Sequence, residues 1–366
     1  MLVQTEVEMS NLKFIFSGGG TGGHIFPAVA IANALKEKHP SAEFLFVGAL
    51  GKMEMEKVPL EGYNIIGLPI AGLKRSFSIE NLKVLYMSIK SYFLAKKIIK
   101  DFKPNAVIGT GGFASLPICY AASKMNYPVF IWEGNGYAGL TNKIMSKSAK
   151  KIFCGFGDMD PYFKFGNWMH SGNPIRKEVI QKVSREEACN FFNLDANKPI
   201  LFITGGSLGA RVLNDSIYSA IDTFAEKDIQ LIWQTGQHYQ FKGEIPKNIF
   251  LRPFLREMNL AYSCADVVIS RSGALSCSEI AAAGVPAIFV PSANVTDDHQ
   301  TKNAQHICKN GGAMMVSDKD AKANLVNTAI ALLSNNPEQE KMKMALSESA
   351  RPNATQTIVT EIEKFL

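Results

Sequence analysis

The sequence predicts an α/β protein of two doubly wound, Rossmann-like domains facing each other across a cleft. Three observations carry this. The chain has 366 residues, more than one hydrophobic core usually supports. Apolar strand patterns alternate with helical patterns along both halves. And the opening unit, an apolar strand followed by a glycine-rich loop and a helix, returns in the second half.

That opening unit is Lys13–Lys38, KFIFSGGGTGGHIFPAVAIANALKEK: a strand (Phe14, Ile15, Phe16), a loop with five glycines, and a helix opened by Pro27. Glycine tolerates positive φ and lets a ligand approach the backbone, and the following helix presents free N–H groups, so the loop can cradle an anion. His24 sits within this loop and is a candidate for acid–base work near neutral pH. Strands are expected at Glu43–Val47 and Ile65–Ile70, with a loop at Ala71–Arg75. Ser78–Phe102 reads as a long helix with Ile79, Leu82, Leu85, Tyr86, Ile89, Phe93 and Leu94 on or near one face, amid Lys83, Lys90, Lys96, Lys97 and Lys100. Taken alone it fits either a core-facing helix with a solvated lysine face or a basic amphipathic surface for anionic lipid. Asn105–Ser123 repeats strand, glycine loop and helix; Tyr127–Glu133 and Lys150–Gly155 are further strands. HSGNPIR, residues 170–176, reads as the interdomain linker. Pro199–Ile221 mirrors the opening unit with a GGSLG loop; Ile229–Trp233 and Ile249–Arg252 are strands, and Asp266–Pro291 matches Ala106–Trp132 in plan. Ligands of such sheets bind beyond the carboxyl ends of the strands, which places the site in the cleft.

Composition is that of an ordinary globular protein, 46% apolar and 20% charged. A net charge of +6 hints at an anionic partner and is too small and dispersed to argue for nucleic acid. The six cysteines form no C-x-x-C pair and read as buried small hydrophobes. MLVQTEVEMSNLK lacks the apolar core of a secretory signal, and no apolar run reaches the roughly 18–20 residues of a membrane span, so a cytoplasmic protein is expected. Gly18, Gly20 and Gly23 satisfy G-x-G-x-x-G, yet the second strand ends Val47-Gly48-Ala49 without the carboxylate that a dinucleotide ribose requires. Asp158-Met159-Asp160 and Asp297-Asp298-His299 lack further ligands at suitable spacing, so metal-free chemistry without a cofactor is the expectation.

Seven stretches occur in order: FSGGGTGGHIFPAVAIANAL, GTGGFASLP, EGNGYAGLTNK, GNPIR, ITGGSLGARVLN, IWQTG and RSGALSCSEIAAAGVPAIFVP. Together, from about Phe14 to Ala304, they resemble the signatures of the MurG-type N-acetylglucosaminyltransferases, which convert lipid I to lipid II in bacterial peptidoglycan synthesis. The chain departs from that pattern at Gly134, where glutamine is usual, at Leu208, where glutamine is common, and in an N-terminal extension. The resemblance implies a GT-B fold with an acceptor- and membrane-side domain over 1–172, a UDP-GlcNAc-binding domain over 173–349, and a C-terminal helix near 350–366 packing back on the first. It implies inverting transfer from UDP-GlcNAc to the muramoyl 4-hydroxyl of lipid I. His24 is the candidate general base, and Thr21, Gly22, Gly23 and Asn135 help position donor and acceptor. Ser207 and Arg176 suit the departing diphosphate, Glu279 the ribose hydroxyls, the Leu255 backbone the uracil, and Gln300 the sugar; the loop Ala274, Leu275, Ser276, Cys277 and Ser278 lines the nucleotide. Because a polyprenyl acceptor stays in the bilayer, the enzyme is expected on the cytoplasmic face of the inner membrane, through Leu73, Lys74, Arg75, Phe77, Leu82, Leu85, Tyr86 and Phe93. Other cell-wall enzymes are candidate partners. The alternatives are another GT-B protein on the same nucleotide sugar, such as a UDP-GlcNAc 2-epimerase or a glycolipid glycosyltransferase, or a non-catalytic nucleotide-sugar-binding scaffold.

Overall fold

The computed structural model describes residues 11–71 and 80–366. They form two compact units: one holds the described residues through Gly134, Ala138–Pro174 and Asn353–Leu366, the other Asn135–Tyr137 and Ile175–Pro352.

The first unit is built on seven strands: β1 (Lys13–Gly18), β2 (Glu43–Ala49), β3 (Asn64–Leu68), β4 (Ala106–Gly111), β5 (Val129–Glu133), β6 (Lys151–Cys154) and β7 (Trp168–His170). All neighbours pair in parallel in the order β3-β2-β1-β4-β5-β6-β7, the doubly wound arrangement in which strand order reverses beside β1. The period of two along β1 divides the core. Ile15 faces one side with Val47, Val107 and Ile131, covered by Ala95 and Ile99 of the helix Glu80–Phe102 and Ile118 of the helix Leu116–Lys124. Phe14 and Phe16 face the other with Phe46, Ile108 and Phe130, covered by Ile31 and Leu35 of the helix Gly22–Lys38. The C-terminal helix Ala354–Glu363 adds Ile358, Val359 and Ile362 to that second face, and Glu363 ties it to Lys38 and His39 at 2.8 and 2.9 Å.

The second unit carries β8 (Ile200–Thr204), β9 (Gln230–Gln234), β10 (Ile249–Arg252), β11 (Val267–Ser270), β12 (Ala287–Phe289) and β13 (Ala313–Met315), parallel in the order β10-β9-β8-β11-β12-β13. Its strands are near-continuous apolar runs, as expected where helices cover both faces.

Several elements differ from the reading of the sequence. The first helix opens at Gly22, not at Pro27; Pro27 sits in its second turn, where it leaves one carbonyl of the ladder without its N–H, and His24 therefore belongs to the helix's first turn. Strands β7 and β13 are three residues each, too short for a period to show, and His170 closes β7 instead of opening a linker. The helix Glu80–Phe102 buries Val84, Ser91, Ala95 and Ile99, while Leu85, Tyr86, Ile89 and Phe93 are exposed, so the stripe of large apolar residues is the outer face. It ends where Lys103 turns left-handed (φ 52°) before Pro104.

Candidate active site

In the first unit the loops after β1 and β4 meet backbone to backbone. A Cβ on Gly112, whose φ is +79°, would stand 2.5 Å from the Gly19 carbonyl oxygen, a contact only glycine permits. Thr110 Oγ1 donates to the His24 carbonyl at 2.7 Å and Thr141 Oγ1 to the Gly112 carbonyl at 3.2 Å, which locks the loops together. His24 is half-buried, with Nδ1 3.0 Å from the Gly19 carbonyl oxygen. A carbonyl only accepts, so Nδ1 carries the proton and Nε2 is left with its lone pair. A Cβ at Gly111 would lie 3.1 Å from Nε2; glycine leaves that nitrogen uncovered. Thr21 and Gly23 are exposed and Gly22 half-buried around the same helix start.

Glu54, on the short helix Glu54–Leu60, lies in none of the motifs. Its carboxylate is fully buried and accepts from the Gly20 N–H at 2.9 Å and the Ala49 N–H at 3.0 Å. The acidic group missing from the end of β2 thus arrives from the next helix, and its oxygens serve the protein's own loop.

In the second unit the GGSLG loop follows β8, with Gly206 and Gly209 at φ 79° and 77° and Ser207 and Leu208 exposed. The Gln234 side chain is its unforeseen keystone: Nε2 donates to the Gly206 carbonyl at 3.0 Å and to Thr204 Oγ1 at 3.1 Å, and Oε1 accepts from the Leu255 N–H at 3.0 Å. One amide fixes the glycine loop relative to Leu255, and the Leu255 N–H is consequently spent inside the protein.

Ala274–Ser278 are not a loop but the start of the helix Ala274–Ala283. Cys277 is fully buried and its N–H already bonds Gly273, so its side chain lines nothing; what this turn offers is the first N–H groups of the helix. Glu279 is half-buried one turn further on. Burial pushes its carboxyl up to about 7, opposed by the Arg176 guanidinium and the Tyr262 hydroxyl. Arg176 is exposed and near enough to Glu279 to favour its charged form. Gln300 Oε1 accepts from the Ser292 N–H at 2.9 Å, and its carbonyl accepts from Ser272 Oγ at 2.8 Å.

Asn135 belongs with this second unit although it follows β5. Fully buried Asn303, unnoticed in the sequence, donates to Asn135 Oδ1 (3.2 Å) and to the Ser272 carbonyl (3.1 Å) and accepts from the Gly136 N–H (2.8 Å). Gly134, the departure in EGN, sits against buried Trp132, whose outer ring carbons fill the space a side chain would need. Asp160 accepts from Trp168 Nε1 at 3.1 Å and Asp298 from Thr301 Oγ1 at 2.6 Å. Of the expected membrane residues, Leu73, Lys74, Arg75 and Phe77 lie outside the described residues, as does the Leu82 side chain. No helix among the described residues is long and apolar enough to cross a membrane.

Comparison with known proteins bears on the fold and the family. Residues 14–154 match the Glycosyltransferase family 28 N-terminal domain and residues 200–358 its C-terminal domain. Proteins named UDP-N-acetylglucosamine–N-acetylmuramyl-(pentapeptide) pyrophosphoryl-undecaprenol N-acetylglucosamine transferase are similar throughout. The one from Cytophaga hutchinsonii is 45% identical over 98% of both chains. That from Flavobacterium psychrophilum is 44% identical over 98% of this chain and 99% of its own. Among solved structures, Acinetobacter baumannii MurG is 30% identical with a TM-score of 0.80, covering 97% of this chain and 100% of its own. The UDP-GlcNAc 2-epimerase of Neisseria meningitidis shares the fold, with a TM-score of 0.64 at 16% identity over 97% of this chain and 100% of its own. The chain is a glycosyltransferase of GT-B fold and belongs to glycosyltransferase family 28, among its MurG-type N-acetylglucosaminyltransferases.

Proposed function

We propose that this enzyme transfers N-acetylglucosamine from UDP-GlcNAc to the muramoyl 4-hydroxyl of lipid I, with inversion, giving lipid II and UDP. The observation that carries the reading is the His24 ring: Nδ1–H is held by the Gly19 carbonyl, so Nε2 is a base ready to take a hydroxyl proton. As that proton leaves, the hydroxyl oxygen attacks the anomeric carbon and the bond to the diphosphate breaks. The negative charge passes to UDP. The N–H groups of the GGSLG loop, the start of the helix Arg211–Tyr218, Ser207 and Arg176 are suited to receive it. Glu279 accepts from the ribose hydroxyls, the Leu255 carbonyl meets the base, Gln300 meets the sugar, and the first N–H groups of Ala274–Ala283 line the nucleotide. Thr21, Gly22, Gly23 and Asn135 position donor and acceptor. Domain 1–172 with residues 350–366 serves the acceptor and 173–349 the donor. The protein works as a peripheral protein on the cytoplasmic face of the inner membrane, where lipid I is presented.

The test is incubation with labelled UDP-GlcNAc and a short-chain lipid I analogue. Label in the disaccharide product is expected, whereas an epimerase would yield N-acetylmannosamine without using the acceptor. His24→Ala should retain UDP affinity and lower kcat by about 10²–10⁴. A kcat near that of the wild type would hand the base to another group.

A further inference from the structure

We propose that Glu54 is a positioning residue for the reaction, acting on His24 through a single peptide group. The Gly20 N–H that donates to Glu54 Oε2 at 2.9 Å and the Gly19 carbonyl that accepts from His24 Nδ1 at 3.0 Å are two ends of one peptide bond. Carboxylate, peptide and imidazole therefore form an unbroken hydrogen-bonded chain. A carboxylate on the N–H side polarises the amide and makes its carbonyl oxygen a stronger acceptor, because hydrogen bonds in series reinforce one another where water is excluded. The stronger acceptor holds the proton on Nδ1 and keeps the lone pair on Nε2. It also steadies the imidazolium that forms once Nε2 has taken a proton, which is the work an aspartate does by direct contact in a serine–histidine–aspartate triad. Glu54 neither gives nor takes a proton.

The surroundings are built for this. Glu54 Oε1 is anchored by the Ala49 N–H at 3.0 Å, so the carboxylate is referenced to the end of β2. A buried carboxylate is costly unless its oxygens are satisfied, and both are satisfied by backbone donors. Gly19 and Gly48 leave room for it: a Cβ at Gly48 would stand 2.5 Å from Glu54 Cγ, and one at Gly19 would overlap the carboxylate. From the far side Gly112 closes on the Gly19 carbonyl, and Thr110 holds the His24 carbonyl, so the peptide cannot swing away.

The catalytic consequence rests on His24 being the base, but the tautomer does not, and the experiment separates the two. In protein labelled with ¹⁵N-histidine, at a pH where the ring is neutral, His24 should show the Nδ1–H tautomer, the minor one for free imidazole side chains in water. Glu54→Gln loses the charge and can accept through one oxygen only. It should shift His24 toward the Nε2–H form and lower kcat by about 10-fold to 10²-fold, part of what a general base contributes, with KM for UDP-GlcNAc unchanged. Glu54→Asp, charged but a methylene short, should fall between. If Glu54→Gln moves the tautomer while His24→Ala leaves kcat intact, the chain of hydrogen bonds stands and the base assignment fails. A wild-type His24 in the Nε2–H form overturns the proposal without any variant. So does a Glu54→Gln protein whose tautomer and kcat match the wild type while only its Tm falls, because Glu54 is then structural.

Discussion

Burial and charge oppose each other at Glu279, whose carboxyl is pushed up to about 7 from an ordinary 4.5 despite Arg176 and Tyr262. A carboxyl held protonated in the folded state binds its proton more tightly there than when unfolded. Its contribution therefore favours the folded protein below about 4.5 and is lost as pH rises toward about 7. Ribose hydroxyls donate, so they need the carboxylate. UDP affinity should accordingly rise as pH increases through about 7, with proton release on binding that calorimetry in buffers of different ionisation enthalpy detects. In Glu279→Gln the release should vanish and affinity weaken by about 1–3 kcal/mol, the cost of unsatisfied polar partners. Unchanged affinity and proton release in that variant would take Glu279 out of the site. At this scale the sequence marks residues inside motifs, such as His24 and Glu279, and hides those that act on them. Glu54 and Asn303, outside every motif, and Gln234, inside IWQTG but with no role legible there, work through backbone N–H and carbonyl groups of distant segments, and such contacts leave no spacing to read.

Among the elements, strands and glycine loops were legible because an apolar run ended by glycines has few other uses, whereas exposure of a helix face was not. The period of Glu80–Phe102 places Leu85, Tyr86, Ile89 and Phe93 together, but only packing shows that Val84, Ser91, Ala95 and Ile99 face inward. Small residues suffice there because the helix Leu116–Lys124 lies close. The end of β5 holds a further lesson. Gly134 lies against Trp132, whose ring occupies the space a side chain there would need and whose Nε1 is buried without a hydrogen bond. Gly134→Ala should cost about 1–3 kcal/mol, as overpacking does. Trp132→Phe removes the outer ring carbons and the unpaired N–H, so the double variant should regain most of that loss. Denaturant unfolding of the four proteins gives the coupling energy, and simple additivity would show that the two sites do not share the space.

For the molecule as a whole, the echo between halves was legible and corresponds to two parallel sheets, each reversing strand order beside a glycine loop. The proposed membrane attachment belongs to this scale too, since an acceptor whose polyprenyl chain lies in a bilayer would bring the whole protein to that surface. Leu85, Tyr86, Ile89 and Phe93 stand 57, 65, 51 and 62% exposed on one face of Glu80–Phe102, more apolar area than a solvated helix needs. Lys90, Lys96, Lys97 and Lys100 lie on the same helix, and each lysine near an anionic surface contributes about 1 kcal/mol within a Debye length. Attachment should thus be reversible and weakened by salt, with the apolar side chains seated among headgroups. Vesicles rich in anionic lipid should sediment the protein at low salt and release most of it near 0.5 M salt, where screening shortens to roughly 4–5 Å. Exchanging Leu85, Ile89 and Phe93 for serine should abolish binding in either condition while turnover of a soluble acceptor analogue persists, because these side chains carry none of the Val84, Ala95 and Ile99 packing. Wild-type protein that stays in the supernatant at low salt would leave Glu80–Phe102 a purely structural helix, and a triple variant that still sediments would move the attachment surface elsewhere.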